Sequence, residues 1–519
     1  MTPRLALAAV LALAATLMSP LGAVAQPPAP AAGKARTVSS CLDSVPDPGT
    51  TAPVQICYTL FKPAGATKRA PVPMIFHSHG WGGSRTTDRA SFSRWLDHGY
   101  AVLSFDQRGF GESGGQAQVM NPAYEGRDVR RLVRMVSRYG WVQMDGRNDP
   151  RLGAIGGSYG GGYQFLGALT SLQTRGKPVF DALAPEITWY DLSESIAPLG
   201  VVRTAWALAL SAAALPSDAL PPKVYKALVE GAAAGTWPDG SIPGTENLAE
   251  FFRRNGPKWH VGEGRRLDIP VLFGQGTTDS LFNLQQGLAN WEHTLTPKAR
   301  RKSIFVAYNG GHVLPQLLPA GLTVTSDPCS QKLAGGSFAD LARQFMDRRL
   351  KRIKTPPDEG GLTGWNRYHL ATPGGACVTT TSVAPTQEYA VGTVATTTAV
   401  GAPLPTKIAD GPLRVAGSPY LTGKVTAIGL ENRTFYGFAI GTSPLDATLV
   451  SNSVLPHRET STVVGVERQV ALPSIAVDVP AGQSLFLVAT PLSDTFVGMG
   501  SRAPGAIAIE STVVHLPVK

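Results

Sequence analysis

Charge is scarce in this chain. Asp, Glu, Lys and Arg make up only 16% of the 519 residues, and no run of one sign is long enough to mark an acidic tail or a nucleic-acid-binding arm. The net charge of +10 is spread along the sequence, so it argues for weak attraction to anionic surfaces and against nucleic acid as a partner. Cysteine is scarce too, with four residues, Cys41, Cys57, Cys329 and Cys377. None stands in Cys-x-x-Cys spacing, which removes the usual zinc and redox frameworks, and no metal or cofactor is expected. Beyond the first residues no apolar run is long enough to span a bilayer. The hydrophobic share, 43%, is ordinary for a globular protein and excludes a wholly disordered one.

The N-terminus has the layout of a secretory signal peptide. Arg4 supplies the positive region, Leu5 to Met18 the short apolar run, and Ala23-Val24-Ala25 the small-residue cleavage site. Cleavage after Ala25 leaves no stable membrane anchor and places the protein outside the cytoplasm, secreted or periplasmic. Export permits disulfides. Of three connectivities the favoured one joins Cys41 to Cys57 and Cys329 to Cys377.

At this length two or three domains are expected. Gln26 to about Ser40 reads as a loose leader. Strands are expected at Val54–Phe61, Val72–Phe76, Tyr100–Phe105, Pro178–Leu183, Ile269–Phe273 and Ser303–Tyr308. Between them helices are expected at Ala90–His98, Tyr124–Tyr139 and Leu284–Leu295, with another at Phe338–Arg352. Such alternation predicts an α/β fold with a mostly parallel sheet. It stops between about 185 and 266, where helices at Thr204–Leu215 and Lys223–Ala234 read as a cap inserted over the sheet. Pro356 to Gly375 reads as a linker. From residue 376 to 519 short strand candidates such as Phe435–Ile440 and Ser484–Ala489 recur without a helical period, which favours a β-sandwich. The domains are therefore expected at 1–25 (signal), 26–375 (catalytic, with the cap) and 376–519.

The chemistry centres on Gly156-Gly157-Ser158-Tyr159-Gly160. A short apolar run ends there and a plausible helix follows, the context of a nucleophile elbow. Gly111-Glu112-Ser113-Gly114-Gly115 also fits Gly-x-Ser-x-Gly, but Ser113 lies in a loop well past its strand. With Ser158 as nucleophile, Asp279 follows an apolar strand as the acid. His312, in Asn309-Gly310-Gly311-His312, comes next as the base. Asp268 precedes its strand and is at the wrong end of the sheet; His293 lies in a helix. Tyr159 N–H is the expected first oxyanion donor. Trp81 N–H is the second, from His79-Gly80-Trp81-Gly82-Gly83, which resembles a lipase-type oxyanion loop. His79 reads as structural, and Asp106 and Arg108 as braces of their glycine-rich loop. Trp189, Tyr190 and Trp206 in the cap are candidates for lining the substrate pocket.

Taken together, Asp106-Gln107-Arg108-Gly109-x-Gly111-x-Ser113, the Ser158 elbow, Gly276-Thr277-Thr278-Asp279 and Gly311-His312 resemble the X-prolyl dipeptidyl-peptidase and cocaine-esterase family of α/β-hydrolases. The resemblance covers most of residues 50–350. It implies an α/β-hydrolase sheet with an inserted helical cap, followed by a jelly-roll-like C-terminal domain whose last strand is Val513–Val518. The family often supplies a second oxyanion donor from a tyrosine hydroxyl. This chain has His79-Gly80-Trp81 there, so that donor does not carry over.

The sequence thus predicts a secreted serine hydrolase that cleaves a small-molecule ester or amide through an acyl-enzyme, esterase-like. An Xaa-Pro dipeptidyl-peptidase is the alternative, with Glu186, Asp191 and Glu194 as candidate anchors for a substrate amine. A catalytically silent polymer- or cell-wall-binding protein is the alternative of another class.

Overall fold

The computed structural model describes residues 34–312, 326–355 and 361–519; the expected signal peptide lies outside them. Its centre is a ten-stranded sheet. In chain order the strands are β1 (Arg36–Ser44), β2 (Val54–Lys62), β3 (Met74–Ser78), β4 (Ala101–Phe105), β5 (Leu152–Gly157), β6 (Ala182–Glu186), β7 (Leu272–Gly276), β8 (Ile304–Tyr308), β9 (Tyr368–Ala371) and β10 (Cys377–Thr380). Their spatial order is β1-β2-β4-β3-β5-β6-β7-β8-β9-β10. The run from β4 to β9 is parallel, and β1, β2 and β10 are antiparallel to their neighbours. The inner strands are apolar on both sides because helices cover both faces, as β4 (Ala-Val-Leu-Ser-Phe, wholly buried) shows.

On one face lie α1 (Glu125–Val136) and α2 (Tyr159–Arg175), whose Val129, Leu132, Phe165 and Leu169 join the main core. On the other, α10 (Phe338–Leu350) buries Leu341, Phe345, Met346 and Leu350 against Ile75, Val102 and Ala184. Their spacing is that of an amphipathic helix. Ser337 and Asp340 form its capping box, and Arg348 and Arg349 sit in its last turn, where the helix dipole favours cations.

Between β6 and β7 the chain leaves the sheet and forms α3 (Leu192–Ile196), α4 (Thr204–Ala214), α5 (Pro222–Ala234), α6 (Leu248–Phe252) and α7 (Pro257–Gly262). This is the helical cap. Helix α8 (Leu284–Ala289) follows β7, and α9 (Pro328–Ala334) precedes α10.

The C-terminal part is a β-sandwich. Its strands are β11 (Gln387–Thr397), β12 (Leu404–Asp410), β13 (Leu413–Gly417), β14 (Tyr420–Ile428), β15 (Asn432–Gly441), β16 (Thr448–Glu459), β17 (Val463–Ala471), β18 (Ile475–Val479), β19 (Ser484–Thr490) and β20 (Ala506–Leu516). Two four-stranded antiparallel sheets, β11-β20-β14-β17 and β12-β19-β15-β16, enclose a core of residues such as Leu421, Phe438, Leu487 and Ile509. The sandwich touches the cap. Thr204 Oγ1 donates to Val497 O at 2.6 Å, Arg433 donates to Gly235 O at 2.9 Å, and the Arg203 guanidinium lies over the Phe496 ring.

Three expectations need correction. The leader reading of 26–40 fails from Arg36 onward, because β1 pairs with β2 along its whole length; it is a mostly exposed edge strand with little apolar signal. The linker reading of 356–375 fails at Tyr368–Ala371, which forms β9 beside β8. Four residues are too few to show alternation, and Tyr368 is held by the rings of Trp291 and Phe305. The central sheet therefore continues through β10, past the expected boundary at 375. Strand β6 also starts later than expected, at Ala182.

Cys41 is bonded to Cys57, its partner across the β1–β2 pair. Cys329 in α9 is bonded to Cys377 at the start of β10. The loop Asp106–Gly114 is held by buried charge. Arg108 is fully buried and donates to both Asp128 carboxylate oxygens in α1, to Asp47 and to Val45 O, at 2.8–3.0 Å. Losing one side of such a network strands the other charges. Arg108→Ala is therefore expected to lower the stability by about 3–5 kcal/mol in urea unfolding, and Arg108→Lys, which cannot reproduce the fork, to recover little of it.

Candidate active site

The elbow stands where β5 meets α2. Ser158 has φ 56° and ψ −121°, a backbone region that side chains other than glycine's rarely adopt. Close packing imposes the two glycines around it. A Cβ on Gly160 would collide with Ser78 O, and one on Gly156 would lie 2.8 Å from the same atom. The end of β3 thus presses directly on the elbow. Gly80, two residues further on, would place a Cβ 3.8 Å from Ser158 Cβ, so the 79–83 loop lies beside the serine. Among the described residues the N–H groups of Tyr159 and Trp81 have no hydrogen-bond partner within the protein. Tyr159 opens α2, where the helix dipole favours negative charge.

His79 holds this loop in place. Its Nδ1–H donates to Gly80 O at 2.7 Å, and its Nε2 accepts from Gln107 N–H at 3.1 Å. Both ring nitrogens are thus engaged, and burial lowers its pKa, keeping it neutral.

Asp279 and His312 are brought together by the loops after β7 and β8. Asp279 is 1% exposed. Its Oδ1 accepts from Leu281 N–H and Phe282 N–H, both at 2.9 Å, and its Oδ2 accepts from His312 Nδ1–H at 2.7 Å. The two loops are further tied by Thr278 Oγ1 to Gly310 O at 2.7 Å and by Ser280 N–H to His312 O at 3.2 Å. Edge-on contacts with Trp206 and Phe282 hold the imidazole, with centroids at 5.7 and 5.3 Å. Among the described residues no hydrogen bond joins Ser158 Oγ to His312 Nε2; such contacts are often loose without substrate. Phe282 touches His312 and lines the same cleft as Ser158.

That cleft has walls from the elbow, the 79–83 loop and the cap. Trp81, Tyr159, Trp189, Leu210, Leu228 and Phe282 are among its lining residues, and among the described residues no charged side chain is. The indole N–H groups of Trp81 and Trp189 are used elsewhere, on Leu210 O and Asn255 O. Of the three cap aromatics expected in the pocket, Trp189 lines it. Trp206 instead walls His312, donating its N–H to Ser280 Oγ at 3.0 Å. Tyr190 lies outside the cleft, its backbone N–H on Gln286 and its ring on His293. The aliphatic residues of α3 and α5 that complete the lining, Leu192, Ile196, Val224 and Leu228, carry no sequence signal beyond ordinary apolar spacing.

The candidate amine anchors do not reach it either. Glu186 accepts from Tyr308 OH, and burial pushes its pKa up to about 7. Asp191 caps α3 and pairs with Lys258. Glu194, in α3, is pushed up to about 7 by burial and then by Asp191. None of the three lines the cleft.

Ser113, the other serine in a Gly-x-Ser-x-Gly frame, donates to Asp106 O at 2.9 Å and accepts from Cys57 N–H at 2.8 Å. Asp106 in turn binds Arg85 and the N–H of Glu112. Ser113→Ala is expected to cost about 1–3 kcal/mol, read by urea unfolding. Gly160→Ala is expected to lose most soluble protein or to fall several degrees in melting temperature, because Ser78 O cannot retreat without moving β3.

The comparisons agree with this architecture. The family profile described as X-Pro dipeptidyl-peptidase (S15 family) matches residues 53–313. An α-amino acid ester hydrolase structure covers 93% of this chain and 97% of its own, at 13% identity and a TM-score of 0.57. A CocE/NonD family hydrolase from Staphylococcus aureus covers 93% of both chains, at 11% identity and a TM-score of 0.60. Among curated proteins, an uncharacterized 31.7 kDa protein of Escherichia coli is 31% identical over 114 residues, which is 22% of this chain and 37% of that protein. The chain belongs to the X-Pro dipeptidyl-peptidase (S15) family of α/β-hydrolases and is a serine hydrolase of esters or peptides.

Proposed function

We propose that the protein is an exported esterase for substrates with an apolar acyl group, working through Ser158, His312 and Asp279. The observation that carries this reading is the cleft at Ser158, whose lining among the described residues is aromatic and aliphatic apart from Ser158 and Ser211 and contains no carboxylate. A peptidase that releases N-terminal dipeptides needs an anion to hold the free amine; Glu186 and Asp191 are engaged elsewhere, and Glu194 does not line the cleft. Export is supported by the two disulfides. On this reading the mature chain starts at Gln26, the catalytic unit ends with β10, and the sandwich takes the remainder.

In the mechanism Ser158 Oγ attacks the ester carbonyl carbon while His312 Nε2 takes its proton. Asp279, buried and fixed by two backbone N–H groups, holds the imidazole by Nδ1–H and stabilises the imidazolium that forms. The N–H groups of Tyr159 and Trp81 donate to the oxyanion. His312 then gives its proton to the leaving alcohol, and a water attacks the acyl-enzyme by the same route in reverse.

A substrate panel tests the reading. Esters of apolar acids are expected to be cleaved and Xaa-Pro anilides with a free amine to be left intact. Cleavage of the anilides that disappears on N-acetylation would instead identify the dipeptidyl-peptidase. In the same assay Asp279→Asn is expected to lower kcat by about 10⁴-fold; a loss under tenfold would remove Asp279 from the mechanism.

A further inference from the structure

A second cavity lies behind the first. It is bounded by α4, α5 and the 497–499 loop of the sandwich. Ala207, Ser211, Leu228 and Trp237 line both spaces. Two of these four, Ala207 and Ser211, are small and stand four residues apart on α4, one above the other on the same helix face. The partition between the cavities is therefore thin where α4 forms it.

The far cavity is as free of charged lining as the near one. Its Thr204 hydroxyl is already committed to Val497 O. Its mouth is apolar although it faces solvent, with Leu208 72%, Val229 70% and Val497 49% exposed. Helix α4, Thr-Ala-Trp-Ala-Leu-Ala-Leu-Ser-Ala-Ala-Ala, carries no charge on any face yet buries only Trp206 and Ala214. An exposed helix of a soluble domain normally turns a polar face to water. At the partition Trp237 is 4% exposed, and its indole N–H has no partner among the described residues.

We propose that the two cavities form one acyl site and that the protein takes esters of long-chain acids, the distal part of the chain lying between the cap and the sandwich. This rests on the esterase reading above. The assignment to the acyl side follows from proton delivery. The leaving alcohol takes its proton from His312 and so departs on the histidine side of Ser158. Trp81 and Tyr159, the proposed oxyanion donors, line the near cavity directly, whereas His312 adjoins it only through Phe282. Each methylene taken from water into such a site contributes to binding, so length beyond the partition is rewarded only if the far cavity receives it.

The test compares kcat/KM for p-nitrophenyl butyrate and laurate, below micellar concentration, in the wild type, Ser211→Phe and Val229→Trp. The wild type is expected to prefer laurate. Ser211→Phe thickens the partition and Val229→Trp fills the mouth from an exposed position that folding tolerates. In each the laurate-to-butyrate ratio is expected to fall at least tenfold. The same variants are expected to leave the ratio for dodecyl acetate over butyl acetate within twofold of the wild type. A wild type that cleaves butyrate but not laurate, or variant ratios within twofold of wild type in the acyl series, overturns the inference alone. A fall confined to the alkyl acetates overturns the acyl assignment. Failure of the folded wild type to cleave any ester overturns the esterase reading, and this inference with it.

Discussion

The contact on which the rest depends is the approach of β3 to the first turn of α2. The carbonyl of Ser78 occupies the space that side chains at 156 and 160 would need. The same carbonyl crowds both glycine positions; beside it Ser158 takes a positive φ, and the 79–83 loop lies against the serine. It also couples distant parts of the chain. His79 fixes the loop through Gln107, which opens the glycine-rich segment after β4. That segment is held by Asp106 on Arg85 and by Arg108 on Asp128 and Asp47. The buried charges thus act at one remove: they locate the loop whose Trp81 N–H the proposed mechanism uses as an oxyanion donor.

The other half of the site is the cap. Its inner surface supplies the apolar wall over Ser158 through Trp189, Leu210 and Leu228, and Trp206 steadies His312. The sandwich holds the cap from outside through Thr204, Arg433 with Gly235, and Arg458 with Leu199 O at 3.1 Å. The C-terminal sandwich is therefore part of the architecture that shapes the cleft at Ser158, because the cap is gripped between it and the sheet. A cap helix as uncharged as α4 fits a surface that meets apolar material on both sides.

Much of this was legible in the sequence where a local rule leaves few alternatives. Gly156-Gly157-Ser158-Tyr159-Gly160 follows a buried apolar run, and only a tight strand-to-helix turn reconciles the two. Asp279 and His312 each follow an apolar strand, and parallel strands bring such loops to one edge of the sheet. The strand β9 was not legible, because Tyr-His-Leu-Ala acquires its burial from Trp291 and Phe305, which lie far away in sequence. Nor was β1, whose exposed edge position leaves its side chains free to be polar. Adjacency in sequence also misled at Tyr190. It follows Trp189 directly, yet Gln286 Oε1 takes its N–H and that of Asp191 and the ring falls on His293 instead of the cleft. The two cavities were out of reach for the same reason: their walls come from α3, α4, α5 and the sandwich, and only the fold assembles them.

Ser158 as the nucleophile is tested most directly by covalent labelling with a fluorophosphonate, applied to the folded wild type, Ser158→Ala and Ser113→Ala. Labelling of the wild type and of Ser113→Ala, with none of Ser158→Ala, is the predicted result. Labelling that survives in Ser158→Ala, or that is lost only in Ser113→Ala, would contradict it.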